Sequence, residues 1–312
     1  MAATFEILRI EVAAEEYGVR RENIQSVQLG MRVRGVSDGE DGRVGILRTT
    51  EGELPVYRLS DKLGMDADFP IEIQRVLVLR SEHGLWCLLV DRVSQAEVVS
   101  AEKVTTLPNV ARAAYVNSVY SNEPDVLLLL DVKQLHPLAE PLVDSADLPL
   151  DPSSNAESQT TASRGSGRGH LLLFDPIGLN GDHEGMVIGL TPKQVDEVLR
   201  SAVIQEVPAA PEFLHGVTNW RGRLIPVLDL AARLGFKAER SYPRKQDRLV
   251  IARGMSGSPI AFYVKPNVDI VNLPAPHAPT DIPAEADDRL VRGAALYQGG
   301  RTVLVPQLNR LA

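Results

Sequence analysis

The chain has one cysteine, few aromatic residues, no excess of positive charge and no long apolar run. Each shortage excludes something. A single cysteine, Cys87, allows no internal disulfide. Its place in the apolar run LWCLLV makes it a buried structural thiol, consistent with a reducing compartment. Aromatic residues are 5% of the 312, which ranks a barrel with exposed rings stacked in a basic groove, binding nucleic acid or oligosaccharide, only as the alternative reading. The formal net charge of −8 lacks the basic balance of a nucleic-acid binder. Apolar runs such as Val126–Leu130 fall far short of the roughly 20 residues a membrane helix requires. The N-terminal MAATFEILRIEVAAEE meets acids before any signal-peptide core. A cytoplasmic protein is expected, working at a membrane only through a partner.

Signs of catalysis are equally sparse. His83, His136, His170, His183, His215 and His277 are scattered without metal-ligand spacing, so no metal or other cofactor is expected. No nucleophile elbow, P-loop or kinase signature occurs. GSGRG superficially resembles a phosphate loop, but no strand precedes it and no helix of the required spacing follows. His215, beside Gly216, reads as a surface or structural residue rather than a base. Asp182, Glu184, Asp287 and Asp288 read as solvated loop charges. The expected class is not an enzyme.

What the chain does have is a repeat. Residues around Gly18–Gly64 recur 171 positions later without a gap. Gly18 falls on Gly189, Val27 on Val198, Gly45 on Gly216, Pro55 on Pro226, Leu59 on Leu230 and Gly64 on Gly235. Glycine, proline and apolar positions coincide while most polar ones do not, as packing and backbone geometry require of two copies of one fold. Between them, residues 137–168 are rich in Ser, Pro, Asp, Gly and Thr and lack aromatics, a composition that reads as a mobile linker. The expected organisation is therefore a divergent domain at 1–136, a linker at 137–168 and a second domain at 169–312.

Short apolar runs dominate the second copy: HLLLFD, GMVIGL, RLIPVL, RLVIAR, PIAFYV, VDIVNL, RLVRGAALY and RTVLVP. They are punctuated by Gly, Pro, Asn or Asp, which predicts strands, with a hairpin turn at QGG. Thr191-Pro192, with Gln194 three residues on, predicts a short helix start with a capping box. DLAARLG predicts a helical turn ended by Gly235. Many short strands and few helices argue for small barrels, an all-β fold.

The runs MVIGLTPKQVDEVLR and VPAAPEFLHGVTNWRGRLIPVLDLAARLG, followed by RLVIAR, PIAFYV and LVRGAALYQGGRTVLVPQLNRL, resemble the CheW-like domain of bacterial chemotaxis adaptors. The first copy is similar, with a degraded signature in EEYGV, LPVYRLSDKLG, WCLLVD and LLLLDVKQL. The resemblance implies two five-stranded SH3-like barrels per domain with short helices. It also implies a scaffold that couples methyl-accepting chemoreceptor tips to the regulatory domain of a CheA-type histidine kinase.

The contact surface is sought in Asn219-Trp220-Arg221-Gly222-Arg223, which lies between two apolar runs and reads as a hairpin tip. Arg221 and Arg223 would project into solvent and Trp220 would be partly exposed. Taken alone, the residues allow the plainer reading of a solvated Arg221 and a core Trp220. The resemblance implies instead that Val195, Glu197, Gly216, Asn219, Trp220, Arg221 and Gly222 are partner-binding positions. A Glu197–Arg221 ion pair holding the turn is a structural role open to the same residues. In the first copy Glu197, Asn219, Trp220, Arg221 and Gly222 are replaced by Ser26, Arg48, Thr49, Thr50 and Glu51. This predicts that the first domain kept its fold but changed or lost its partner.

Overall fold

The computed structural model describes residues 3–35, 42–66, 69–122, 125–138, 168–179, 185–236, 242–254, 257–274, 282–297 and 300–311. Residues 139–167 of the expected linker lie outside these, as do Asp182, His183, Glu184, His277 and Gln298-Gly299. The chain divides into two compact units, one made chiefly of Met1–Leu107 and Arg112–Val143, the other chiefly of Asp144–Glu206 and Pro211–Ala312. Both are built from strands with very short helices.

The first unit holds two six-stranded curled sheets. One contains β1 (Thr4–Val12), β2 (Glu15–Arg20), β9 (Arg92–Ser100), β10 (Val104–Thr106), β11 (Val116–Asn122) and β12 (Asp125–Leu130), in the order β10-β11-β12-β2-β1-β9. The other contains β3 (Ile24–Leu29), β4 (Val33–Gly35), β5 (Arg43–Thr49), β6 (Gly52–Arg58), β7 (Arg75–Ser81) and β8 (Gly84–Val90), in the order β3-β7-β8-β6-β5-β4. β4 and β10 are three-residue edge pieces, so each sheet is five principal strands plus one. β8 is central to its sheet, and its run WCLLV is buried throughout, as a strand covered on both faces should be. Cys87 lies in that run, where burial pushes its thiol pKa up to about 12.

Asp91 separates β8 from β9 and is buried. Its carboxylate accepts from the Ala13 backbone N–H at 2.7 Å and from Gln74 Nε2 at 2.6 Å, and its own N–H donates to the Glu11 carbonyl at 2.9 Å. Ala13 and Ala14 join β1 to β2 with φ of 50° and 67°. That backbone region is unfavourable for alanine, and the charge-assisted bond from Ala13 to Asp91 holds the turn in it.

The second unit contains β13 (Arg168–Pro176), β14 (Met186–Leu190), β15 (Val195–Leu199), β16 (Leu214–Trp220), β17 (Arg223–Leu228), β18 (Arg248–Ala252), β19 (Ile260–Pro274), β20 (Val291–Tyr297) and β21 (Arg301–Pro306). PIAFYV and VDIVNL, expected as two strands, form the single strand β19. Its first part pairs with β17 and β18 and its remainder with β13. It therefore serves one five-stranded set with β15, β16, β17 and β18, and another with β13, β14, β20 and β21. The helix expected from Thr191 is one 3-10 turn, Pro192–Gln194. The capping contact forms, with Thr191 N–H donating to Gln194 Oε1 at 2.8 Å. The chain then extends because Val195–Leu199 pairs with β18. The turn in DLAARLG is α1 (Leu230–Arg233), capped by Asp229 Oδ1 on the Ala232 N–H at 3.1 Å and followed by Gly235 at φ 96°.

The repeat holds element by element. β2 and β14, β3 and β15, and β5 and β16 all begin 171 positions apart. Small insertions follow. Pairing with Ile24 and Val195 equates Leu79 with Ala252, and pairing with Val56 and Val227 equates Cys87 with Ala261. Three register shifts recur at matching places: Ile24/Ser26 and Val195/Glu197, Arg43/Gly45 and Leu214/Gly216, Val116/Ser118 and Val291/Gly293. Bulges re-aim strands and are costly to move, so their recurrence marks two copies of one backbone.

Candidate partner-binding site

Trp220 and Arg223 close the β16–β17 hairpin around Arg221 and Gly222. Both central residues have positive φ, 52° and 75°, the geometry of a type I′ turn, whose twist matches that of the flanking strands. Glycine adopts it freely, whereas Arg221 does so at a steric cost. Asn219 offsets part of that cost by accepting the Gly222 N–H on Oδ1 at 3.0 Å.

Trp220 is 7% exposed, which corrects the expectation that it would be partly open to solvent and bears out the plainer reading of a core ring. It belongs to a buried cluster with Ile177, Ile225, Leu249 and Ile251. A buried indole N–H needs an acceptor, and Glu197 supplies it from β15 at 2.9 Å through Oε2. The same oxygen accepts from Arg221 Nη2 at 2.9 Å. Arg221 is 69% exposed on its side chain, with its guanidinium 5.0 Å from the Trp220 ring centroid. Arg253 approaches the same ring at 5.9 Å and is held by Asp196, whose Oδ2 accepts from Arg253 Nε at 2.6 Å. The arrangement is a carboxylate locking an indole on one side and aiming an arginine outward on the other. The exposed ion pair contributes about 0.2–1 kcal/mol. The bond to the buried indole weighs more, because breaking it strands a desolvated donor.

The structure thus brings together Glu197, Asn219, Trp220, Arg221 and Gly222. Gly216 lies at the far end of β16, in the register shift opposite Val227. Val195 is half-buried at the start of β15, paired with Ala252. Asp196 and Arg253 were absent from the sequence expectation. Their only signal was a charge at each end of a strand pair that a single sequence does not reveal.

The first copy lacks this lock. Thr50 and Glu51 bridge Thr49 and Gly52, and the positive φ moves to Gly52 at 124°. Thr49 Oγ1 donates to the Gly52 carbonyl, Gln25 Nε2 donates to Glu51, and Arg48 is paired with Glu53.

His215 and Asp287 are both held by structural contacts. His215 is buried, with Nε2 3.9 Å from Asp229 Oδ2, and Asp229 is the α1 cap already described. Asp287, expected as a solvated loop charge, is tied to Arg289 by two guanidinium hydrogen bonds and one from the Arg289 backbone N–H, which hold its pKa below the usual carboxylate value. Among the described residues, no group of three or more His, Cys, Asp or Glu side chains is placed to hold a metal ion, and no helix is long and apolar enough to cross a membrane.

The chain is thus two β-sheet units, the second of which fixes an arginine, an indole and a carboxylate at a turn. Comparison with known proteins gives its lineage: the CheW-like domain model matches residues 6–140 and again 181–312, so the chain belongs to the CheW-like domain family as a tandem. It is similar to Protein FrzA of Myxococcus xanthus, 38% identical over 81 residues, covering 26% of this chain and 48% of that protein. It is also similar to Chemotaxis protein CheW of Rhizobium meliloti, 29% identical over 105 residues, covering 32% and 63%. The chain spans about half the length of the curated relatives it matches. A solved structure, the scaffolding protein TtCheW from Thermoanaerobacter tengcongensis, aligns with a TM-score of 0.39 at 17% identity, over 43% of this chain and 92% of that one.

Proposed function

We propose that this protein is a non-enzymatic, cytoplasmic adaptor of chemosensory signalling. It couples the cytoplasmic tips of methyl-accepting receptors to the regulatory domain of a CheA-type histidine kinase and joins receptor arrays through those partners. The observation that carries the reading is the Glu197–Trp220–Arg221 lock in a copy matched by the CheW-like model. It presents a pre-organised arginine beside an aromatic, the residue types that dominate interface energetics. The second domain, 169–312, carries these contacts, with Val195, Asn219, Gly216 and Gly222 shaping the surface. The first domain, 1–136, binds the same partners weakly or binds something else, and 137–168 tethers the two.

The test is binding of the full chain to a receptor signalling tip and to a kinase regulatory domain. Arg221→Ala should weaken at least one of them by about 1–3 kcal/mol with little change in melting temperature. Thr50→Ala, the matching change in the first copy, should leave both unchanged. Undiminished binding by Arg221→Ala removes this residue from the site, and equal losses from both variants remove the asymmetry.

A further inference from the structure

The place filled by Trp220 and Glu197 in the second unit is a cavity in the first. The replacements Thr49 and Ser26 leave a concave space of about 430 Å³, within the range of pockets that hold a ligand group. Leu47, Leu54, Val78 and Leu85 form its apolar lining, and Arg32 and Arg48 stand among its polar residues. The correspondence is residue by residue. Leu54 matches Ile225 and Val78 matches Ile251, two members of the buried cluster that holds Trp220. The second unit is thus an internal template for an occupant: a flat aromatic ring lying on this apolar lining.

We propose that the first unit takes an aromatic side chain, indole in the template, from a polypeptide segment of a partner. A polypeptide source is favoured over a free aromatic molecule by what borders the cavity. Ser26 and Gln28 belong to β3, the outermost strand of its sheet, and both face the cavity. An outer strand offers backbone N–H and C=O groups to an added strand, and an added strand lays alternate side chains on one face. Val27 and Leu29, on the opposite face of β3, are exposed apolar residues that the alternate side chains of the same added strand would cover. A residue of that strand lying across from Ser26 or Gln28 would place its ring where Trp220 lies in the other copy. The divergence of the first copy then reads as exchange of an intramolecular aromatic for an intermolecular one. This inference stands apart from the signalling reading: Arg221 variants test that one, and the variants below leave Arg221 intact.

The experiment uses the full chain with methyl-labelled leucine and valine. The probes are the capped peptides Ac-Thr-Trp-Thr-NH2 and Ac-Thr-Ala-Thr-NH2, and free indole. The tryptophan peptide should shift the methyl signals of Leu47, Leu54, Val78 and Leu85 and bind about tenfold or more tightly than the alanine peptide, the difference an anchoring aromatic makes. Thr49→Trp, which restores the residue of the other copy, should abolish those shifts while folding as before. Should Thr49→Trp fold poorly, Ser26→Phe blocks the same space from β3 and serves the same comparison. Indole binding as tightly as the tryptophan peptide would overturn the polypeptide source. Shifts that map elsewhere, survive both filling variants, or are absent at saturating peptide would overturn the site.

Discussion

Gly216 and Gln205 meet backbone to backbone. A Cβ on Gly216 would lie 2.9 Å from the Gln205 carbonyl carbon and closer still to its oxygen. The two strands of chain are also bonded there, Gln205 N–H to the Val217 carbonyl and Val217 N–H to the Gln205 carbonyl, both at 2.9 Å. Gly216→Ala must therefore push the segments apart and break both bonds. The expected cost is about 2–3 kcal/mol of the second unit's stability, read by denaturant unfolding. A variant that loses partner binding but keeps full stability would instead give Gly216 a contact role.

Glu197 and Arg221 separate stability from binding. Glu197→Ala leaves the buried Trp220 N–H without its acceptor, and should lower stability by about 1–3 kcal/mol. Arg221→Ala removes only an exposed partner of the same carboxylate and should cost no more than about 1 kcal/mol. Parallel thermal melts with Trp fluorescence check the order. Equal costs would mean that the indole bond contributes nothing beyond the ion pair.

Asp91→Ala in the first unit removes the acceptor for Ala13 N–H and Gln74 Nε2 at once. It should destabilise that unit by about 2–4 kcal/mol and release the β1–β2 turn. Ala14→Gly relieves the positive φ directly and, combined with Asp91→Ala, should restore part of the lost stability. No rescue would show that the turn strain is not what Asp91 counters.

His136 packs against His83 and Trp86, ring centroids 4.7 Å and 5.3 Å away. Burial, then the neighbouring His83 and Lys62, hold its pKa below the usual 6.5, with Glu82 opposing. The unfolded chain therefore binds the proton more readily. Stability is fully present above about 6.5 and is lost as pH falls from there through the depressed folded value. The melting temperature of the first unit should drop on going from pH 7 to pH 5, and His136→Gln should flatten that slope. An unchanged slope assigns it to other groups.

Much of this was legible in the sequence, and the failures have identifiable causes. Gly45 and Gly216, Pro55 and Pro226, and Leu59 and Leu230 announced the repeat because they answer to backbone geometry and core packing, which the copies share. Cys87 was placed correctly because an unbroken apolar run has one fate in a small β fold. The helix expected from Thr191 forms with its capping box but stops after one 3-10 turn, because those capping residues are local while β15 is decided by pairing with β18, 57 positions away at Val195 and Ala252. Trp220 was left open between a core and a partly exposed ring for a related reason: its burial depends on an acceptor 23 residues earlier in the chain. Arg253 and the cavity beside Thr49 were invisible, since each exists only once strands distant in sequence lie side by side.

The strand β19 gives the second unit a property its sister lacks. One uninterrupted run of 15 residues is pinned along its length by β17, β18 and β13. A tug on the edge of either five-stranded set is borne by the same stretch of main chain, as a load on either floor of a building is borne by a common column. The first unit divides that column at Asp91, where one carboxylate fastens Ala13 and Gln74 to the joint. Within the second copy the two sets thus share one continuous main chain, while in the first the strands β8 and β9 part at a single side chain.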